Sequence, residues 1–425
     1  MVELLALTWG GLRAASIEGY RLNGEAQPPK KRLAAMFFLQ NLVWGAQVVL
    51  LSGHMAALGF SGQEIGYVAA TGSLGAILSP LVGGWLADRF LPGQVFAGLC
   101  YLLCAPLLWL AWGQTEFLPL LAVMFVFSVL HMPTAAVTNA IAFTHLSDTR
   151  LFGRVRVWGS IGWVGISWAL SAYLRLWEGW NPAQSHLGDG LLVAAILAIV
   201  MGLYCFFLPP TPPARKSRNP LAFLEAFVLL RQRNFAVLFG TAFLVSAMSP
   251  FSQNFSFIFF TDAQSGPGLA PSATSWVLSL GQLLEIPIMP FLGVWISRLG
   301  MKRVIVLGVL AQALRTAVLA LGQPLWLLVA AQGLNSLFIV CFIVAAMVVV
   351  ERLSPSHMRA QAQGLLVLGL RGLGPLCGHM LAGRVYDFFA LADGSHAWTW
   401  IFLIPAVVSF FIALLFVALF RGDSD

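Results

Sequence analysis

Charge is what this chain has least of. Lys and Arg number 24 and Asp and Glu 17 in 425 residues, so 10% of the chain is charged, against roughly 25% in a soluble domain. Water is therefore excluded as the main solvent. The chain also lacks the spacings that carry most enzyme chemistry. It has seven histidines but no His-x-x-x-His pair and no Gly-x-Ser-x-Gly elbow, which argues against a catalytic role. All five cysteines (Cys100, Cys104, Cys205, Cys341, Cys377) fall in apolar segments. There a thiol behaves as a small hydrophobe. Cys100 and Cys104 stand one helical turn apart with no His or carboxylate beside them, so neither a disulfide nor a metal site is expected, and no cofactor. The formal charge of +7 is spread over short loops without interleaved aromatics, which gives no footprint for nucleic acid.

What is present is apolar length. Stretches of close to 20 residues without a charge suit a membrane span. They predict helices near residues 33–53, 66–87, 94–112, 117–142, 156–176 and 189–208, then 236–260, 273–297, 303–321, 325–350, 362–387 and 397–420. Basic residues crowd alternate loops: Lys30, Lys31 and Arg32, Arg89, Arg150 and Arg154, Arg215 to Arg233, Arg298 to Arg303, Arg352 and Arg359, and Arg421. By the positive-inside rule both termini are cytoplasmic, and the molecule is expected in a bacterial inner membrane as a monomer in lipid. Residues 1–32, without a basic opening run, read as a cytoplasmic leader rather than a cleaved signal.

The chain divides in the middle. Residues 209–235 open with Pro-Pro-Thr-Pro-Pro, carry a basic run and continue as an amphipathic stretch, 220–230, that reads as lying along the membrane surface. They link an N-terminal bundle, 33–208, to a C-terminal bundle, 236–421, with a short tail at 422–425. Pro80, Gly83 and Trp85 recur as Pro290, Gly293 and Trp295, each 210 residues on (290 − 80 = 293 − 83 = 295 − 85). Two six-helix bundles related by repetition form a transporter plan with the solute site between them.

The loop Gly84-Trp-Leu-Ala-Asp88-Arg89, with its second copy Gly293-Val-Trp-Ile-Ser297-Arg298, resembles the signature of the major facilitator superfamily. The resemblance implies twelve spans, and a cytoplasmic gate made by Gly84, Asp88, Arg89, Gly293 and Arg298. Within that superfamily the chain is most similar to bacterial nucleoside:proton symporters, through Leu42-Val-Trp44-Gly45, Met132-Pro133-Thr134 with Asn139, Arg156-Val-Trp158-Gly159-Ser160-Ile-Gly162, Gly281-Gln282-Leu-Leu-Glu285 and Ala362-Gln363-Gly364. What this implies is a secondary transporter moving a nucleoside, a small-molecule substrate, with a proton by alternating access. Sugars and small aromatic or organic acids stand behind nucleosides as substrates. A non-transporting sensor with a carrier fold, and an ion channel, are the rival classes.

Charges deep in apolar helices are the informative residues, since each costs at least about 2.5 kcal/mol at a helix centre. Those seen in the sequence are Arg156 at the opening of the fifth helix, Glu285, Arg315 and Arg371, with His131 and His379 as imidazoles. Glu285 and Gln282 project together from one face, where an acid and an amide suit a polyol or a base and the acid can take up a proton. A structural ion pair of Glu285 with Arg315 or Arg371 is the plainer alternative. Arg156, Ser160 and Trp163 share a face at spacings of four and three. Trp163 is equally compatible with facing lipid. By resemblance these five residues line the substrate site, with Gln253 and Asn254 near another site position. In the tenth helix the family's aromatic and acidic residues fall on Asn335, Ile339 and Val340, which puts proton coupling in doubt. Arg371 replaces a neutral residue, so a cation near the cavity favours an anionic substrate or neutralises Glu285.

Overall fold

A computed structural model describes residues 30–80, 91–146, 150–181, 184–212 and 222–421 of the chain. Among them the protein is all helical apart from one isolated β-bridge between Ala390 and His396. The helical rods, in order, are α1 (Lys30–Ala57), α2 (Gly62–Ser79), α3 (Gly93–Trp112), α4 (Phe117–His145), α5 (Arg150–Trp180), α6 (Asp189–Cys205), α7 (Arg233–Thr261), α8 (Pro271–Leu299), α9 (Met301–Leu321), α10 (Leu325–Leu353), α11 (Ser356–Phe388) and α12 (Trp398–Leu419). Nine of these are long and apolar enough to cross a membrane; α2, α5 and the shorter α6 are not in that set.

Local chemistry explains several boundaries. Helix α2 begins four residues before its apolar run because Ser61 and Glu64 form a capping box, each side chain closing on the other's backbone N–H. Helix α5 begins at Arg150, so Arg156 lies nearly two turns inside it rather than opening it. The amphipathic part of the linker does not stand free: Ala222–Arg231 is a short 3-10 helix that packs on the start of α11, with Ala226 and Leu229 buried. The α8–α9 turn is made by Gly300 at φ +83°, a conformation costly for any residue with a Cβ.

Two pairs of helices make most of the contact between the first six rods and the last six, α2 with α11 and α5 with α8, and α1 also touches α7, where Gly53 lies against the ring of Phe257. Both junctions are tightest at the end of the molecule away from the termini. There Asp387 of α11 accepts from the backbone N–H groups of Gly62 and Gln63, at 2.6 and 2.9 Å, and so caps the start of α2. Across the molecule Glu178 of α5 accepts from the N–H and Oγ of Ser272, at 2.9 and 2.6 Å, at the start of α8. Ser171 adds a bond to the Ser272 carbonyl. A carboxylate at a helix N-terminus is stabilised by the orphan N–H groups and the helix dipole, by up to about 2 kcal/mol. The contacts obey the repeat seen in the sequence, because 272 − 62 = 210 and 387 − 178 = 209. A Cβ on Gly66 would lie 2.5 Å from the His379 carbonyl, so α2 and α11 touch backbone to backbone at this end.

Candidate functional site

The site is built on helices that sequence breaks. In α8, Pro287 and Pro290 have no N–H to offer the carbonyls of Leu283 and Ile286. The rod accordingly turns at Leu284, resumes as Glu285–Ile288, tightens to a 3-10 turn at Met289–Phe291 and recovers at Leu292–Leu299. Gln282 and Glu285 sit at that break, and Gln282 Nε2 donates to Glu285 Oε2. Beyond it Pro287, Met289, Pro290, Phe291 and Val294 are all exposed. The half of α8 toward the termini therefore has one side uncovered by protein, while it still touches α9 and α10. Wide π turns interrupt α10 at Ile339–Val344 and α11 at Leu368–Leu373, the second containing Arg371. Such turns recur at functional sites.

Helix α5 presents the opposing wall. Gly159 and Gly162 lie against α1, where a Cβ on Gly162 would be 2.5 Å from the Phe38 carbonyl. Trp168 and Ser171 lie against α8, bonded to Ser279 and Ser272. At 3.6 residues per turn, Arg156, Ser160 and Trp163 fall between these two contact faces, and the exposed stripe Trp158, Ile161 and Gly165 falls opposite. All three are half-buried. The alternative of a lipid-facing Trp163 is thus set aside, since its ring packs on Gly45 of α1. The Arg156 guanidinium lies 5.4 Å from the centroid of Phe37 and beside Asn41.

Glu285 lies within electrostatic reach of Arg156 from one half of the chain and of Arg371 from the other. Among the described residues the only ion pairs within 4.0 Å are His186 with Asp189 and Arg359 with Glu351, neither in this region. Glu285 is therefore not locked to Arg315 or Arg371. Arg315 is instead buried against neutral groups, donating to Ser252 Oγ, Asn335 Oδ1 and Gln332 Oε1 at 3.0 to 3.3 Å.

The structure separates two residues that the sequence joins. Every residue from Val245 to Phe257 in α7 is buried except Gln253. An exposed amide in the middle of a buried helix marks solvent inside the molecule, and Gln253 faces it. Asn254 is turned away and bonds His379 Nδ1 at 3.0 Å. Asn335 is half-buried and held by Arg315, Ile339 is half-buried in its π turn, and Val340 is fully buried. His131 is also sequestered, stacked 5.1 Å from Phe127. Gly293 and Arg298 are exposed, and a Cβ on Gly293 would meet nothing within 4 Å, so this glycine does not serve close helix contact here. Gly84, Asp88 and Arg89 lie outside the described residues. Sequence reasoning missed Asp387 and Glu178, whose signal was the repeat interval itself.

A family model described as "Nucleoside H+ symporter" matches residues 29–425. The chain is similar to YegT of Escherichia coli K12, 32% identical over 411 residues with 93% of this chain and 94% of that one covered. It is also similar to the xanthosine permease of the same organism, 30% identical over 413 residues, covering 93% and 96%. A crystal structure of the nucleoside transporter NupG superposes with a TM-score of 0.81 at 26% identity, over 93% of this chain and 99% of that one. The fold is accordingly that of the major facilitator transporters.

Proposed function

The chain belongs to the nucleoside H+ symporter family, and from that premise we propose how it works: a nucleoside binds between the two halves, and Glu285 carries the coupled proton. It is a multi-pass membrane transporter, not an enzyme, with a small-molecule substrate and the proton as coupling ion. The observation that carries the proposal is the placing of Glu285. Among the described residues it is the one carboxylate away from the ends of the twelve rods. Arg156 of the first half and Arg371 of the second both act electrostatically on it.

Opposite charges near each other in an environment less polar than water attract more strongly than they would in bulk solvent. Taking up a proton removes that attraction across the halves, and this couples proton binding to their rocking. Gln253, Gln282 and Glu285 offer donors and acceptors to ribose hydroxyls and base edges. Arg156, Ser160 and Trp163 supply a cation, a hydroxyl and a ring for stacking. Asn335 and Ile339 border the site from α10 without a direct polar role.

The reading extends to topology. Two six-helix bundles, 33–208 and 236–421, joined by residues 209–235, span a bacterial inner membrane as a monomer with both termini in the cytoplasm. The gate of Gly84, Asp88, Arg89, Gly293 and Arg298 then lies on the cytoplasmic side, and the Asp387 and Glu178 contacts lie on the periplasmic side. The conformation is closed to the periplasm.

Proteoliposomes holding the purified chain test the proposal. An imposed gradient, acid outside, should drive accumulation of a labelled nucleoside and a protonophore should abolish it. Failure of every nucleoside to accumulate, or accumulation indifferent to the protonophore, would overturn it.

A further inference from the structure

The Asp387 contact between the halves has a titratable neighbour. The loop between α11 and α12 folds back on itself, with the Leu391 N–H donating to the Ser395 carbonyl and the Ala397 N–H to that of Phe389. This sets the His396 ring against Tyr386, 4.0 Å between centroids and 24° from parallel. Tyr386 is also stacked on Phe255 of α7, at 4.3 Å and 8°. A ring has two faces, so Phe255 covers one and His396 the other. The edge of Tyr386 meets the first half of the chain: a Cβ on Gly62 would collide with its Cδ1. The next residue, Asp387, accepts from the Gly62 and Gln63 N–H groups. The stack therefore backs this contact, with an imidazole as its outer plate.

His396 lines a cleft of about 610 Å³ between the halves, walled by Gly59, Phe60 and Ser61 from one and by Asp262, Tyr386 and Asp387 from the other. Water occupies about 30 Å³ a molecule in the liquid, so the imidazole can exchange protons through this space. The carboxylates that face it are Asp262 and Asp387, and no Lys or Arg lines the cleft. Asp262 is filled by neutral donors, the N–H groups of Gln264 and Ser265, Ser265 Oγ and Trp398 Nε1, at 2.6 to 3.2 Å. The other charged groups nearby are turned aside. Glu64 accepts from Ser61 and Asp393 from Ser395, while Arg384 is about 200° around α11 from Tyr386. Burial pushes the His396 imidazole below the ordinary histidine value, by more than Asp262 and Asp387 raise it.

We propose that His396 is a second proton site, and that a proton taken up there releases the Asp387 contact, so that an acid periplasm favours opening of that side. The inference rests on the topology proposed above and not on the identity of the solute or on Glu285. Two effects act with one sign. Helix α2 turns the positive end of its dipole toward the junction, and an imidazolium behind Asp387 repels it. Asp387 belongs to the same half as His396, so it keeps that cation as a partner after leaving α2. The closed cleft also buries the imidazole and disfavours its charged form, whereas opening hydrates it. Protons then favour the state that binds them more tightly, the open one. The effect is absent well above about pH 6.5, the ordinary histidine value. It grows as the pH falls through that value and is complete below the depressed value of the closed state.

Electron–electron distance measurement on the full-length chain in nanodiscs tests this, with spin labels at Thr115→Cys and Gln323→Cys. Both positions are exposed, one between α3 and α4 and the other between α9 and α10, on opposite halves. Cys377→Ser removes the exposed native thiol, and Glu285→Gln silences the proton site of the transport cycle. No nucleoside is added, so the outcome is independent of the function proposed above. Between pH 7.5 and pH 5.5 the population with the labels further apart should rise about fivefold. His396→Phe keeps the plate against Tyr386 without the proton, and should hold that population at its pH 7.5 level throughout. His396→Arg should raise it at both pH values. A population that is the same at both pH values, one that falls with acid, or a rise that survives His396→Phe overturns the inference. If His396→Phe does not fold, His396→Gln takes its place with the same expected result.

Discussion

Asp387 and Glu285 are both carboxylates in the C-terminal half of one membrane protein, and they differ in what holds them. Asp387 accepts two backbone N–H bonds at the start of α2, and Glu178 accepts one backbone N–H and the hydroxyl of Ser272 at the start of α8. Backbone donors cannot turn away, so these acids act as fixed pins between the halves. Glu285 has a side-chain amide and two guanidinium groups at a distance. Each of those partners can move, and a carboxylate so held can exchange a proton as the halves shift. The lesson is that a buried acid's donors, rather than its depth, separate a pin from a switch.

The same contrast applies to the cations and gives the largest expected effect. Arg315→Leu would take the donor from the oxygens of Ser252, Gln332 and Asn335, at a cost of about 3 kcal/mol. Thermal unfolding in detergent should show that loss, whereas Arg371→Leu should leave the midpoint nearly unchanged. Equal midpoints for the two variants would erase the distinction between a structural and a site guanidinium.

Next in size are the pins. Asp387→Ala and Glu178→Ala should each favour opening of the sealed end by about 1.5 kcal/mol, roughly tenfold in population. A cysteine placed at Ser61 and challenged with an impermeant maleimide reports it, with labelling expected to speed up by that factor. Labelling at the wild-type rate would mean that apolar packing, not the carboxylates, makes the seal.

The smallest effects separate neighbours in α7. Gln253→Ala should raise the KM for nucleoside uptake several-fold with stability unchanged. Asn254→Ala should leave KM alone and cost about 1 kcal/mol, since it strips His379 of its partner. A reversal of the two would place the solvent on the other side of the helix.

Much of this was legible without coordinates. Apolar runs located the helices because a bilayer fixes their length, and the spacing of Arg156, Ser160 and Trp163 gave the inner face of α5. The start of α5 was not legible, since basic residues near a membrane end read equally as loop or as first turns. Gln253 and Asn254 could not be told apart either. They sit about 100° apart on the helix, and nothing local says which way the bundle lies. Asn335 looked like a lining residue until Arg315, twenty positions earlier, was seen to bind it. The partners of Asp387 and Glu178 lie across the molecule, where only the 210-residue repeat points to them.

The central claim is that Glu285 carries the coupled proton, and nucleoside-driven proton entry measures it most directly. With a pH-sensitive dye trapped in proteoliposomes, adding nucleoside outside should acidify the lumen for the wild type. Glu285→Gln should still bind and exchange nucleoside yet give no acidification. Full acidification by Glu285→Gln would contradict the account.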